Sequence, residues 1–267
     1  MIGEDVLDLD GQVALVTGAG KGAGRAIAIE LAKHNAGGIA VNDFVAERAE
    51  EVVAEIRALG VPAVAVPFDV CDLEAVRAAF AKAAEELGAV TVLVNNAGMA
   101  GPNETLRPTK SFWEEDPTEW NKYVDTNLFG VFNCCHVAIP AMIEAKRGRI
   151  VNIVSDSGRV GEPRQAVYSA AKAGAAGFTR SLAKETGKFG VTCNAIALSS
   201  IQTMMTDEQF EAFQQTDGYK AQIRLYPMRR WGQPDDVAAL AAFLCSERAS
   251  WVTGQTYPLN GGYSFAV

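Results

Sequence analysis

The 267-residue chain has few of the residues that metal sites, secreted scaffolds and membrane anchors require. It contains two histidines and five cysteines, and the cysteines show neither a CxxC pair nor metal-ligand spacing. Most cysteines fall within apolar runs, which predicts buried free thiols, a cytoplasmic location and no metal. No uninterrupted run of ~18 apolar residues is present, so no membrane span is predicted. The acidic N-terminus argues against a signal peptide.

An excess of positive charge is also lacking. The formal net charge is −8, which argues against nucleic acid or an anionic membrane as the main partner. Hydrophobic residues make up 49% of the chain, which suffices for a large core. The length fits one α/β domain over residues 1–267.

Short apolar runs alternate with amphipathic stretches along the chain, and this alternation predicts βαβ units. We therefore expect an α/β, doubly wound Rossmann fold with a parallel sheet flanked by helices. The predicted strands are 13–17, 38–43, 62–67, 90–94, 149–155, 191–197 and a last one after residue 254. The predicted helices are 25–34, 46–59, 72–87, 118–145, 165–189 and 234–246.

A glycine-rich turn, Gly18-Ala-Gly-Lys-Gly22-Ala-Gly24, joins the first strand to the first helix. Such a turn lets backbone N–H groups approach a pyrophosphate at the helix N-terminus. Asp43 ends the second strand, where an acid accepts hydrogen bonds from the adenosine ribose and repels a 2′-phosphate. Lys21 instead favours NADP, because a cation in the glycine loop could contact the 2′-phosphate. We give Asp43 more weight and predict NAD rather than NADP.

Tyr168 and Lys172 lie four residues apart in a predicted helix, which places them on one face. A neighbouring cation should lower the tyrosine pKa of ~10, and a tuned phenol can exchange a proton with an alcohol or carbonyl oxygen. Ser155 ends an apolar run, at the carboxyl end of a strand, where open α/β sheets bind ligands. Taken alone, the pair could also be a chance arrangement on a solvated helix.

Two longer segments are candidates for the substrate site. Residues 99–116 are polar and irregular, which suits a substrate rim or a solvated insertion. Residues 199–230 combine apolar and polar residues, which predicts a lid over an apolar substrate, although an ordinary packed helical pair would show the same pattern. The apolar residues of this segment are Met204, Met205, Phe210, Phe213, Tyr219, Leu225 and Tyr226.

Taken together, these features resemble the short-chain dehydrogenase/reductase family. The resemblance covers about residues 10–263, and its motifs occur in the family's order. It implies a seven-stranded sheet and commonly a homotetramer built partly from the two long helices. The motifs are Thr17-Gly18-Ala-Gly-Lys-Gly22-Ala-Gly24, Asp69, Asn95-Asn96-Ala97-Gly98, Asn127, Ser155, Tyr168-x-x-x-Lys172, Asn194, Thr203 and Gly261-Gly262.

The resemblance also implies roles for individual residues. Tyr168 would be the general acid/base, and Ser155 would hydrogen-bond the substrate oxygen. Lys172 would hold the nicotinamide ribose, and Asn127 would anchor a water in a proton relay. The implied cofactor-binding residues are Gly18, Gly20, Lys21, Gly22, Ala23, Asp43, Asp69, Val70, Asn96, Ala97, Gly98, Tyr168, Lys172, Ile201 and Thr203.

Two positions depart from the family pattern. Leu198-Ser199 stands where Pro-Gly is usual after the sixth strand, which bears on how Ile201 and Thr203 meet the nicotinamide. Ala23 replaces the usual Ile or Leu in the glycine loop, a mild change in packing.

The resemblance implies reversible hydride transfer between NAD and a secondary alcohol or ketone, with a bulky, apolar, cyclic or hydroxyacyl thioester substrate. One alternative is an NADPH-dependent 3-oxoacyl-thioester reductase. A non-enzyme alternative is an NAD(H)-binding sensor, which would not need all four of Asn127, Ser155, Tyr168 and Lys172. A further enzymatic alternative is an epimerase or dehydratase acting on nucleotide sugars, but those relatives are longer chains with a separate C-terminal substrate domain.

Overall fold

The computed structural model describes residues 5–99, 110–203 and 205–265. Seven parallel strands form one sheet in the order β3-β2-β1-β4-β5-β6-β7. The strand order reverses between β1 and β4, which confirms the predicted doubly wound sheet. The strands are β1 (Val13–Val16), β2 (Gly38–Val41), β3 (Ala63–Ala65), β4 (Val90–Asn95), β5 (Gly148–Ser155), β6 (Val191–Leu198) and β7 (Thr256–Leu259).

Helices cover both faces of this sheet. The helices are α1 (Gly22–Lys33), α2 (Ala46–Ala58), α3 (Leu73–Leu87), α4 (Trp120–Val124), α5 (Gly130–Ala145), α6 (Ser157–Val160), α7 (Ala166–Thr186), α8 (Asp207–Gln214), α9 (Asp217–Ile223) and α10 (Pro234–Cys245). One core cluster joins α1, α2 and α10 to the sheet, and a second joins α3, α5 and α7. Burial on both faces explains why the strands are continuous apolar runs.

The long helix predicted over 118–145 contains an irregular turn that the sequence pattern did not show. Asp125–Phe129 forms a π turn between α4 and α5. Asn127, which is fully buried in this turn, donates from its side-chain amide to the Tyr123 carbonyl oxygen at 2.9 Å. The side chain thereby gives that carbonyl a partner where the regular α ladder is broken.

The stretch Pro117–Ala145 is also apolar and long enough, by composition, to cross a membrane, although no such span was predicted. Core helices of soluble proteins meet the same test, and here α5 packs against α3 and β4. The absence of a membrane partner stays a prediction.

Residues 199–230 fold into α8 and α9 around a small aromatic core. Phe210, Tyr219 and Trp231 are buried against one another, with ring centroids 5.7–5.8 Å apart. At the neck of the segment, Gly232 N donates to the Ser200 oxygen at 3.0 Å, and a parallel bridge joins Gly232 to Ile201. The described aromatic side chains thus pack as a helical pair, whereas Met204 lies outside the described residues. The lid over 199–230 and the single domain over 1–267 stay predictions.

Candidate active site

The carboxyl ends of the strands meet at one edge of the sheet, where the glycine loop lies against Asp43. Gly20 N donates to Asp43 Oδ2 at 3.1 Å, and Val45 N donates to Oδ1 at 2.9 Å. The carboxylate is buried and lies two residues beyond the end of β2, slightly later than predicted. A Cβ on Gly20 would come within 2.6 Å of both Asp43 Oδ2 and Arg48 Cβ. Two backbone donors therefore hold a fixed negative charge at the rim of the loop.

The loop is joined to the end of β4 by Thr17 and Asn96. Asn96 Nδ2 donates to the carbonyl oxygens of Thr17 and Gly18, both at 3.0 Å. The backbone N–H groups of Asn96 and Ala97 both donate to Thr17 Oγ1 at 3.0 Å. Gly24 packs so closely that a Cβ there would lie 2.3 Å from the Gly18 oxygen. The glycines thus create a rigid, side-chain-free cradle of the kind that accepts a phosphate group.

Four further predicted residues lie in this loop or against it. Gly22 is the first residue of α1, three residues before the predicted helix start, and has a φ of +56°. A Cβ on Gly22 would lie 3.0 Å from Thr203 Cβ. Thr203 is therefore brought against the loop, despite Leu198-Ser199 in place of Pro-Gly. Ala23 is buried, and Lys21 is exposed at the loop surface.

Asn42 organises the neighbouring strand ends, and sequence reasoning overlooked it. Its Oδ1 accepts from Gly18 N at 3.2 Å, and its Nδ2 donates to the Phe68 oxygen at 3.0 Å. The next residues, Asp69 and Val70, follow directly: Asp69 is exposed, and Val70 is buried. The signal available in the sequence was an amide directly before Asp43, in a position that the sheet must bury.

Lys172 reaches the sheet edge from α7. Its Nζ donates to the Ile153 oxygen at 2.9 Å and lies 5.9 Å from the centroid of the Tyr168 ring. A Cβ on Gly98 would lie 3.2 Å from this Nζ and 3.0 Å from Asn127 Oδ1, so the three residues meet. Burial lowers the pKa of Lys172 from 10.5 to about 8.

Tyr168 and Ser155 face each other across the gap between α7 and β5. Burial raises the pKa of Tyr168, and its hydrogen bond with Ser155 partly offsets that effect by lowering it. The prediction of a lowered tyrosine pKa is therefore wrong, because burial of the Tyr168 phenol outweighs the effect that lowers its pKa. Ser155 Oγ in turn accepts from Ser157 Oγ at 2.9 Å and from Ser157 N at 3.2 Å.

Asn127 fixes the segment after β4 to the helical layer. Its Oδ1 accepts from Met99 N at 3.1 Å, and its Nδ2 donates to the Met99 oxygen at 2.8 Å. These bonds and the one to Tyr123 occupy the side-chain amide. The predicted rim at 99–116 begins here, but its residues 100–109 lie outside the described residues.

The family described as enoyl-(acyl carrier protein) reductase has a sequence model that matches residues 18–264. This chain belongs to the short-chain dehydrogenase/reductase (SDR) family. It is 42% identical over 251 residues to the 3-oxoacyl-[acyl-carrier-protein] reductase FabG of Staphylococcus aureus, covering 93% of this chain and 96% of the relative. It is 39% identical over 257 residues to the FabG of Pseudomonas aeruginosa, covering 96% and 98%.

Two solved SDR-like structures superpose closely. A Sinorhizobium meliloti protein assigned to the short-chain alcohol dehydrogenases matches with a TM-score of 0.88 at 37% identity, covering 98% of this chain and all of the other. An Agrobacterium tumefaciens protein assigned as a gluconate dehydrogenase matches with a TM-score of 0.87 at 33% identity, covering 97% and 98%. This SDR is therefore an oxidoreductase that acts on CH–OH groups with a nicotinamide dinucleotide.

Proposed function

We propose that this SDR reduces the ketone of a 3-oxoacyl thioester and that NADH is the hydride donor. The substrate class is supported by 3-oxoacyl reductases that resemble the chain over 93% or more of its length. The nucleotide is supported by the position of Asp43. A buried carboxylate held by Gly20 N would repel a 2′-phosphate and accept hydrogen bonds from ribose hydroxyls.

The second candidate nucleotide is NADPH, because two cations flank the same place. Lys21 is exposed in the loop, and the Arg48 side chain lies beside Gly20. Neither has an ion-pair partner in the described part of the chain. We favour NADH, since the carboxylate is fixed by two N–H donors whereas an exposed lysine must lose side-chain entropy to bind.

The proposed mechanism uses the Ser155, Tyr168 and Lys172 side chains. When bound, the dinucleotide supplies the hydride from its nicotinamide ring. Ser155 Oγ holds the ketone oxygen by a hydrogen bond, while Tyr168 donates its proton to that oxygen as negative charge develops there. A raised tyrosine pKa keeps the phenol protonated at neutral pH, which is the form that reduction requires.

Lys172 and Asn127 support this proton transfer. We propose that the Lys172 ammonium holds the nicotinamide ribose and that its charge stabilises the phenolate that Tyr168 becomes. We also propose that a water molecule beside Asn127 takes part in a proton relay. The buried Asn127 amide holds the backbone of Met99 and Tyr123 in place on either side.

The aromatic residues of the lid segment argue against a large, rigid apolar substrate. Phe210, Tyr219 and Trp231 fill their own core, so most of their surface is not available to line a ligand pocket. We propose that the lid at 199–230 closes as a unit on a flexible thioester chain.

We further propose a cytoplasmic homotetramer without a nucleic-acid, membrane or metal partner. Cys134, Cys135, Cys193 and Cys245 are buried free thiols, as predicted, which suits a reducing compartment. Phe129 is exposed beside the long helical layer from which family tetramers are built.

The test is a fluorescence titration with NADH and NADPH, followed by reduction of acetoacetyl-CoA, read as the loss of NADH absorbance. Tighter NADH binding and steady thioester reduction are expected. Tighter NADPH binding would show that Lys21 and Arg48 outweigh Asp43. Nucleotide binding without turnover of thioesters or of a panel of cyclic and linear ketones would favour the sensor alternative.

A further inference from the structure

Asp156 is a buried carboxylate that the proposed mechanism does not use, although it directly follows Ser155. Only 2% of its surface is exposed. It accepts hydrogen bonds from Arg159 Nη1, Asn260 Nδ2 and Ser264 Oγ, each at 2.7 Å. Two of these three donors come from the segment after β7, more than one hundred residues away in sequence. A buried carboxylate is held this way only where its lone pairs are satisfied.

The same C-terminal segment makes a second connection through Tyr263. The Tyr263 hydroxyl donates to Glu162 Oε1, in the loop that precedes Tyr168. The hydrogen bond to Glu162, together with burial, raises the pKa of Tyr263 to about 12, so the phenol remains a donor. The connection therefore persists across the neutral pH range.

A third connection joins the segment to the end of β6. The Tyr263 ring stacks on Tyr226, with centroids 5.1 Å apart and planes 28° apart. The Tyr226 hydroxyl lies 2.6 Å from Ser199 Oγ and donates to Ser200 Oγ at 3.1 Å. Ser199 stands where the family usually has glycine, so a serine–tyrosine hydrogen bond fixes the strand end here instead.

Two glycines let the segment lie this close. Gly261 and Gly262 have φ values of +59° and +83°, and a Cβ on Gly262 would lie 2.7 Å from Pro227 Cγ. Asn260 Oδ1 accepts from Gly262 N at 3.0 Å, which closes the turn. The turn directs Tyr263 and Ser264 back towards the active-site loops.

We propose that Asn260–Phe265, the C-terminal latch, is a positioning element of the active site that holds Ser155 and the loop before Tyr168 in register. Ser155 ends β5, and Tyr168 lies in the first turn of α7. The connection 156–165 contains only the short helix α6 and one hydrogen bond to β6, from Asp156 N to the Leu198 oxygen at 2.8 Å. The latch binds both ends of that connection, through Asp156 and Glu162. Proton transfer is sensitive to displacements of about 1 Å, so this restraint bears on turnover.

The expected effect of the latch on turnover rests on the proposed function. This effect can be measured separately from nucleotide binding. The hydrogen bonds that Tyr263 and Ser264 donate reach Glu162 and Asp156, and neither involves the glycine loop, Asp43 or the end of β6 beside Ile201 and Thr203. Loosening the latch should therefore impair the carbonyl substrate's reaction while leaving the affinity for NADH unchanged.

The experiment compares Tyr263→Phe, which keeps the stacked ring, with Tyr257→Phe as a matched control. Tyr257 lies in β7, and its hydroxyl has no hydrogen-bond partner within residues 5–99, 110–203 and 205–265. A second pair, Ser264→Ala and Ser264→Thr, removes and then restores the hydroxyl that donates to Asp156. Each variant is assayed for NADH affinity, kcat and KM with acetoacetyl-CoA, and hydrogen exchange of the peptide covering 156–165.

We expect kcat/KM to fall about tenfold in Tyr263→Phe and Ser264→Ala, which is the effect of losing one charge-assisted hydrogen bond. NADH affinity should stay within about twofold, exchange over 156–165 should accelerate, and Ser264→Thr should restore both values. Equal kinetics and exchange in Tyr263→Phe and Tyr257→Phe would overturn the proposal. A parallel loss of NADH affinity and of melting temperature would also overturn it, because that pattern marks general destabilisation.

The outcome is distinguishable from failure of the proposed function. If the wild-type protein reduces no thioester, the proposed substrate is wrong, and the exchange comparison still decides the latch. Accelerated exchange in Tyr263→Phe but not in Tyr257→Phe would then support it, and unchanged exchange would refute it.

Discussion

Replacing Lys172 by methionine should make this SDR more stable at neutral pH while removing its activity. The Lys172 side chain is almost fully buried, and its pKa is lowered from 10.5 to about 8. At pH 7 the folded state must therefore hold a charge that burial disfavours, at about 3 kcal/mol relative to the unfolded chain. The lost hydrogen bond to the Ile153 oxygen offsets about 1–3 kcal/mol of the gain.

The pH dependence of this gain is the sharper prediction. Below pH 8 the lysine is protonated in both states and the penalty is complete, whereas it disappears as pH rises from about 8 to 10.5, since the unfolded chain then holds more protons than the folded one. The stability advantage of Lys172→Met over wild type should therefore shrink by about 2–3 kcal/mol between pH 7 and pH 10. The loss of the hydrogen bond lowers the stability of Lys172→Met by a similar amount at both pH values, so it largely cancels from this comparison.

Urea unfolding measures this difference. The protein concentration is the same for all variants, because the proposed tetramer would make stability depend on concentration. Burial also raises the pKa of Cys135 and Cys245 to about 12, and these two thiols lower the stability of every variant as pH rises. The difference in stability between variants is therefore the informative quantity. Lys184→Met, at an exposed position of α7, supplies the background. A difference between Lys172→Met and wild type that does not change with pH would refute the reasoning.

Three further outcomes are expected. Tyr168→Phe should keep NADH affinity and lose at least about a hundredfold in kcat, because no proton donor remains at the ketone oxygen; near-wild-type kcat in a stopped-flow assay would disprove its role. Asp43→Ala should weaken NADH and narrow the preference over NADPH, and an unchanged ratio of the two dissociation constants would show that Asp43 does not read the ribose. Gly20→Ala should weaken both nucleotides, since its Cβ would lie 2.6 Å from Asp43 Oδ2, whereas Gly187→Ala, with open space around it, should bind both normally.

The sheet and the glycine loop were predictable because local and global signals coincide there. A short continuous apolar run, followed by Gly18–Gly24 and an amphipathic stretch, leaves few alternatives to a strand–loop–helix unit. Asp72 shows the same consistency, since its side chain caps α3 by accepting from the N–H groups of Glu74 and Ala75, two and three residues further on. Such features depend on residues that are neighbours in sequence.

The π turn and Asn42 depend on contacts that residue spacing does not encode. The pattern on both sides of Asn127 is helical, so a single widened turn leaves no trace in the periodicity. Asn42 acts by joining three strand ends, and its partners are known only once the strand order is fixed.

The aromatic residues of 199–230 show a different limit. Their spacing fits both a lid lining and a self-contained helical pair, because each needs an apolar stripe. Only the packing of Phe210 on Trp231 separates the two uses of those side chains. The pKa of Tyr168 was mispredicted because the spacing placed Lys172 nearby but did not show that the phenol itself is buried.

The proposed reaction is the transfer of a hydride from NADH to the ketone carbon of a 3-oxoacyl thioester. The deciding measurement uses NADH deuterated at both C4 positions and acetoacetyl-CoA, with mass spectrometry of the product. We predict a 3-hydroxyacyl thioester that carries one deuterium at the carbinol carbon, formed by the wild type and not by Tyr168→Phe. Absence of that product, or a product without deuterium, would contradict the account.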